Sequence, residues 1–263
     1  MPLLKLIALA APALGRKGSG PGEFAAVRDV RVTPDGELSV FDMGTNRVTI
    51  IRPDGTMRRM IGLVESPHAD QHLPMGHDRT MTATFEAPGT LAWFDSTGHA
   101  ERRLDVPSPG FEKLEEIERQ GLLARDGRSD RWVFVQMVGD GWYAYRGDSV
   151  LPFTGHFIEH LELPTLTITT KESPGSRQRN VMILASDYGA TNVALGDSVV
   201  AVVFQGKTAE AGRLIDYYAW ANGRYLGSSL LPFKVADIAA ASGRDLFAVV
   251  TDPYPRLMRL HPH

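Results

Sequence analysis

VRDVRVTPDGELSVFDMGTNRVTIIRPDGTMRRMI, residues 27–61, is the stretch on which the fold turns. Its first six residues mix apolar and polar side chains as a half-buried strand does. Pro34-Asp35-Gly36 follows as a turn, with the glycine free to take a positive φ. Residues 38–41 read as a second strand, and Gly44-Thr45-Asn46 as a second turn. Residues 47–51 read as a third strand, Pro53-Asp54-Gly55 as a third turn, and residues 57–61 as a fourth strand. Four antiparallel strands in about forty residues are the signature of one β-propeller blade.

Working outward, the pattern recurs in weaker form. Residues 80–85, 90–94 and 99–104 repeat the strand and turn order. Residues 122–124, 132–137, 142–145 and 149–153 supply another unit, and 193–195, 198–205, 214–220 and 225–230 a clearer one. Asn222-Gly223 inside the latter is a tight-hairpin signal. Residues 235–240, 246–251 and 256–260 make a last blade without its fourth strand. The apolar segment 3–14 (LLKLIALAAPAL) precedes the first full blade and is expected to be the strand that completes the last one and closes the ring. It is too short to span a bilayer, and no other segment approaches membrane length. At about 40–45 residues per blade the chain predicts a single all-β propeller domain over residues 1–263 with six blades. Residues 155–186 repeat poorly, so five blades with a long insertion is the alternative count.

Composition agrees. The 263 residues are 43% hydrophobic and 22% charged, which is globular rather than disordered. With 26 glycines and 17 prolines, turns are abundant, as many short strands require. There is no cysteine, which excludes disulfides, thiolate metal sites and a cysteine nucleophile. A net charge of −3 offers no bulk basic surface for nucleic acid.

Arg16-Lys17-Gly18-Ser19-Gly20-Pro21-Gly22-Glu23-Phe24, followed by RVTPDGELSVFDMGTNRVTIIRPDG, resembles an NHL-type repeat of bacterial six-bladed β-propeller proteins. The resemblance is specific over residues 15–61, weaker over 193–231 and 235–260, and absent from the middle. It implies that the GPGEF segment links an outer strand to the next inner strand. The resemblance implies a binding protein as readily as an enzyme, so it speaks to fold more than to activity.

Three constellations carry potential chemistry. Aligned on their first turns, VRDVRVTPDG, ATNVALGD and VADIAAASG place Asp29, Asn192 and Asp237 at one position of three inner strands. Side chains there would converge on the central channel as oxygen ligands for a divalent cation, calcium or zinc. That set resembles the calcium site of six-bladed lactonases and phosphotriester hydrolases, where the metal polarises a carbonyl or phosphoryl oxygen. Asp and Asn also satisfy backbone groups locally, which is the competing account. The second constellation is SPHADQHLPMGHD, with His68, Asp70, His72, His77 and Asp78 in an expected loop between blades. His77 and Asp78 are expected to enter the next inner strand and serve as catalytic base or extra ligand. The third, His156-Phe157-Ile158-Glu159-His160, matches a metalloprotease string that needs a helix, and its β-rich context reads as a strand instead.

Two functions follow. One is a metal-dependent hydrolase of small esters, lactones or phosphoesters, with Asp29, Asn192 and Asp237 holding the metal. The other is a non-catalytic propeller that binds a peptide, glycan or protein partner. Trp132, Trp142, Tyr143, Tyr217, Tyr218 and Trp220 fall mostly on expected strands and are assigned to packing between blades.

Overall fold

Strands and turns, with no helix, make up the described residues of the computed structural model. These are residues 15–64, 69–84, 91–106, 120–127, 129–139, 141–159, 166–173, 176–183, 189–205, 210–241, 245–251 and 254–261. A short parallel pair, β1 (Arg16–Lys17) with β2 (Glu23–Phe24), leads into the first blade. That blade is β3 (Val27–Val32), β4 (Leu38–Asp42), β5 (Arg47–Ile51) and β6 (Met57–Gly62), paired in order. The turns are those the sequence predicts. Gly36 and Gly55 take φ values of 82° and 86°, and each donates its N–H to the carbonyl three residues back, at 2.9 Å.

Blade two is β7 (Ala69–Gly76), β8 (Arg79–Thr84), β9 (Leu91–Phe94) and β10 (Ala100–Leu104). Its inner strand occupies sequence that was expected to be loop. Blade three is β11 (Gly121–Arg125), β12 (Arg131–Gln136), β13 (Gly141–Arg146) and β14 (Ser149–Val150), with β15 (Gly155–His156) also on β13. The hairpin β16 (Leu166–Ser173) and β17 (Ser176–Ile183) pairs only within itself among the described strands. Blade four is β18 (Ala190–Leu195), β19 (Val199–Phe204), β20 (Leu214–Ala219) and β21 (Tyr225–Leu230). Blade five has three described strands, β22 (Val235–Ala240), β23 (Leu246–Val250) and β24 (Arg256–Leu260). The described residues therefore form five blades, the alternative count given by the sequence, with the poorly repeating region as a hairpin that pairs only within itself. The expected closing strand, residues 3–14, lies outside the described residues.

Packing follows the strand period of two. In β12, Val133 and Val135 join the core shared with blade four, while Trp132 and Phe134 join the core shared with blade two. Trp142 and Tyr218 sit in the first core, Tyr143 in the second, and Tyr217 in the core between blades four and five. The aromatics thus pack between blades, as expected. Four apolar clusters result, joining blades one to two, two to three, three to four and four to five. Among the described residues no such cluster joins blade five to blade one.

Candidate functional site on the channel wall

The inner strands β3, β7, β11, β18 and β22 follow one another around the ring. Four of them carry an irregularity of register at one place. It falls between Val27 and Asp29, Ala69 and Gln71, Ala190 and Asn192, and Val235 and Asp237. A bulge re-aims the residue beside it. The alignment of Asp29, Asn192 and Asp237 is therefore real in the fold, and Gln71 is a fourth member. Ala69-Asp70-Gln71 has the small-polar-amide form of Ala190-Thr191-Asn192, a signal available in the sequence.

What these side chains bond decides their use. The Asp29 carboxylate accepts the His72 backbone N–H at 3.4 Å, linking blade one to blade two. Gln71 Oε1 accepts the Leu123 N–H at 2.8 Å, linking blade two to blade three. Asn192 Nδ2 donates to the Ala236 carbonyl at 2.9 Å, linking blade four to blade five. Each is a clasp between adjacent inner strands. Asp237 holds the same position on the last blade and accepts only the N–H of its own neighbour Ile238, at 2.9 Å, among the described residues.

Asp29 does more. It accepts from Arg31 Nε at 3.0 Å and meets His72 Nδ1 at 3.2 Å. His72 Nε2 lies 2.9 Å from Ser39 Oγ. Burial alone would raise the Asp29 carboxyl, but His72 and Arg31 together hold it well below the usual carboxylate range. Ser39, His72 and Asp29 have the order of a nucleophile, base and orienting carboxylate. Ser39 and His72 are completely buried, so no substrate carbonyl reaches the hydroxyl and the relay ties two blades together instead. Sequence reading put His72 in a loop and did not single out Ser39, because the relay exists only once β7 packs beside β3 and β4.

Asp237 differs in its surroundings as well. Desolvation pushes its carboxyl above the ordinary value, against a lowering by the Ile238 N–H and by Arg31, while Asp29 raises it. It thus stands near enough to Asp29 and Arg31 to feel both charges. Arg31 pairs with Asp29 at 3.0 Å, which leaves Asp237 outside that ion pair.

His77 and Asp78 do not enter an inner strand. They form the two-residue turn between β7 and β8, with φ of 53° and 60°, the left-handed pair that a type I′ hairpin needs. Asp78 accepts from Arg58 Nη1 at 2.9 Å and Arg59 Nη1 at 3.1 Å, and it also pairs with Arg58 Nη2. Arg58, bonded in turn to Glu37 at 2.8 Å, keeps the Asp78 carboxyl below its ordinary value. This is an ion-paired patch that joins the outer strand β6 of blade one to the β7–β8 turn of blade two. His68 and His160 lie outside the described residues, and no group of three His, Asp or Glu side chains gathers among those described. Two of the three expected metal ligands, Asp29 and Asn192, each bond a neighbouring inner strand.

No protein-family model and no curated protein matches the sequence. Solved structures do match in fold. A streptogramin B lyase is similar with a TM-score of 0.50 and 9% identity, over 91% of this chain and 85% of that one. Virginiamycin B lyase from Staphylococcus aureus gives 0.49 and 10%, over 90% and 85%. A chain of the mitotic checkpoint complex gives 0.49 and 13%, over 86% and 58%. At 9% identity the likeness to the streptogramin B lyase speaks for the propeller fold alone.

Proposed function

We propose that this protein is a propeller binding module, of the NHL-like kind its first blade resembles, that takes a peptide or protein partner at the channel wall around Asp237. The observation that carries this reading is the use of the repeated polar side chains. Asp29, Gln71 and Asn192 are spent as clasps, which leaves structure rather than chemistry at three of the four positions. The fourth, Asp237, keeps a solvent-exposed carboxylate that a lysine or arginine side chain of a partner would pair with.

Selection of a displayed peptide library on the immobilised protein tests this. Enriched peptides should carry a basic residue and lose at least about tenfold in affinity to Asp237→Lys, in line with about 1.4 kcal/mol or more. A metal-dependent hydrolase of small esters, lactones or phosphoesters is the second reading. It is favoured by the same acidic wall, where a divalent cation would relieve the charge on Asp237. Aryl esters, lactones and phosphotriesters, assayed with and without EDTA for wild type and Asp237→Ala, separate the two. Turnover lost to both EDTA and the substitution overturns the binding module.

A further inference from the structure

Blade four sets an exposed serine on a buried carboxylate. Leu214, Asp216 and Tyr218 alternate along β20 and share the face turned to blade three, where Leu214 and Tyr218 join the core. Their partners on β21 are Leu230, Ser228 and Tyr225. Tyr225 and Ser228 are three residues apart, so in a regular strand they would face opposite ways. The register shifts between Tyr217 and Tyr218, with Leu226 as the extra residue, and both side chains reach the one face. Gly227 in this bulge has a φ of 146°, which other residues rarely adopt. Ser228 Oγ donates to Asp216 Oδ1 at 2.5 Å, and Tyr225 Oη lies 2.5 Å from Ser228 Oγ. With the serine proton on the Asp216 side, Tyr225 is the donor in its pair with Ser228. The Tyr218 hydroxyl donates to Asp216 Oδ2 at 3.3 Å and accepts the Ile158 N–H at 3.3 Å. Asp216 is 3% exposed, whereas Ser228 is open to solvent. Burial raises the Asp216 carboxyl above its ordinary value, against the Ser228 and Tyr218 hydroxyls, and Glu159 adds to the rise.

We propose that Ser228 is a nucleophile for acyl transfer from small esters, with Asp216 as its general base. Asp216 already holds the proton it must take, and its surroundings make it a stronger base than an ordinary carboxylate. Tyr225 orients the hydroxyl from the other side. The approach is open, since a Cβ built on the adjacent Gly227 would meet no atom within 4 Å. Leu230, 55% exposed on the same face, gives an apolar seat to an acyl or aryl group. Exposure is what separates this serine from Ser39, whose relay with His72 and Asp29 is sealed. Attack joins Ser228 Oγ to the acyl carbon while Asp216 takes the hydroxyl proton, and the alcohol leaves with that proton. Water then cleaves the acyl-serine, which releases the acid and restores the hydroxyl. The step uses no metal and is independent of the reading of Asp237.

Reaction of the full-length protein with p-nitrophenyl acetate in EDTA, read by intact mass and peptide mapping, tests the assignment. One acetyl group should appear, on Ser228. Ser228→Ala should abolish it, while Ser229→Ala, on the opposite face of β21, should leave it unchanged. Asp216→Asn should slow acetylation by about a hundredfold or more. Tyr225→Phe should slow it as well, and it decides the matter if Asp216→Asn does not fold. Far-UV circular dichroism establishes which variants fold. An unmodified Ser228 in wild type overturns the proposal, and so does equal acetylation of Ser229. A rate that the folded Asp216 or Tyr225 variant leaves unchanged also overturns it. With EDTA present throughout, none of these outcomes bears on a metal or a peptide at Asp237.

Discussion

Asp42 is a fully buried carboxylate, and its partners explain why it stays charged. It accepts the N–H groups of Ala25 at 2.9 Å, Ala26 at 2.7 Å and Gly44 at 3.1 Å, and the Thr45 hydroxyl at 2.7 Å. Burial would raise its pKa, but the hydrogen bonds from Ala25, Ala26, Thr45 and Gly44 together outweigh that and lower it. The residue thereby fastens the chain entering β3 to the end of β4. Asp42→Ala strands those amides and should cost roughly 2–4 kcal/mol in urea unfolding. Carboxyls lowered by the fold, Asp29 and Asp42, contribute stability above the unfolded range near pH 4, and it is lost as pH falls through their folded values. Asp237 is raised, so its contribution is present below that range and lost as pH rises through its folded value. Asp237→Asn should therefore gain stability over wild type as pH goes from 4 to 7. Urea midpoints at three pH values check this, and a constant difference would contradict it.

Among elements, the inner strands show how one sequence position acquires one job. The bulges in β3, β7, β18 and β22 aim Asp29, Gln71, Asn192 and Asp237 alike, but only the first three meet a following strand through a clasp. Gln71→Ala and Asn192→Ala should each lower stability by about 1–2 kcal/mol, and Asp29→Ala by more because it also holds Arg31 and His72. Asp237→Ala should cost less than any of them at neutral pH. Chemical denaturation of the four variants tests the ranking, and a cost at Asp237 equal to that at Gln71 would mean that Asp237 clasps too. β7 also shows where reading by pattern failed. His72 falls in sequence expected to be loop but is buried on an inner strand, and His77-Asp78, expected to enter an inner strand, instead make the tight turn that follows β7.

Across the whole molecule, stability is distributed by how many faces each blade buries. Blades two, three and four have a core on both sides, and blade five has one among the described residues, against blade four. Val249 and Leu257 on blade five remain 36% and 41% exposed. Native-state hydrogen exchange should then find β22–β24 opening at lower free energy than β11–β13. Equal protection of the two would show that blade five is covered on its second face as well. Blade one likewise has one core among the described residues, against blade two, and Asp237 on blade five lacks the inter-strand clasp that Asp29, Gln71 and Asn192 make.

The propeller itself was legible in residues 27–61, because turn residues and strand periodicity act over a few positions and need no distant partner. The assignment of the aromatics to inter-blade packing was legible for the same reason, as alternate residues of a strand must face opposite neighbours. The common position of Asp29, Asn192 and Asp237 could be aligned by eye. Their roles could not, since a carboxylate is a ligand or a clasp according to which backbone N–H another strand brings to it. Only the tertiary structure added Gln71, built the relay of Ser39, His72 and Asp29, moved His77 and Asp78 to a turn and chose five blades over six among the described residues. Each depends on contacts between segments tens of residues apart, which pairing between strands and packing between blades decide and local pattern does not encode.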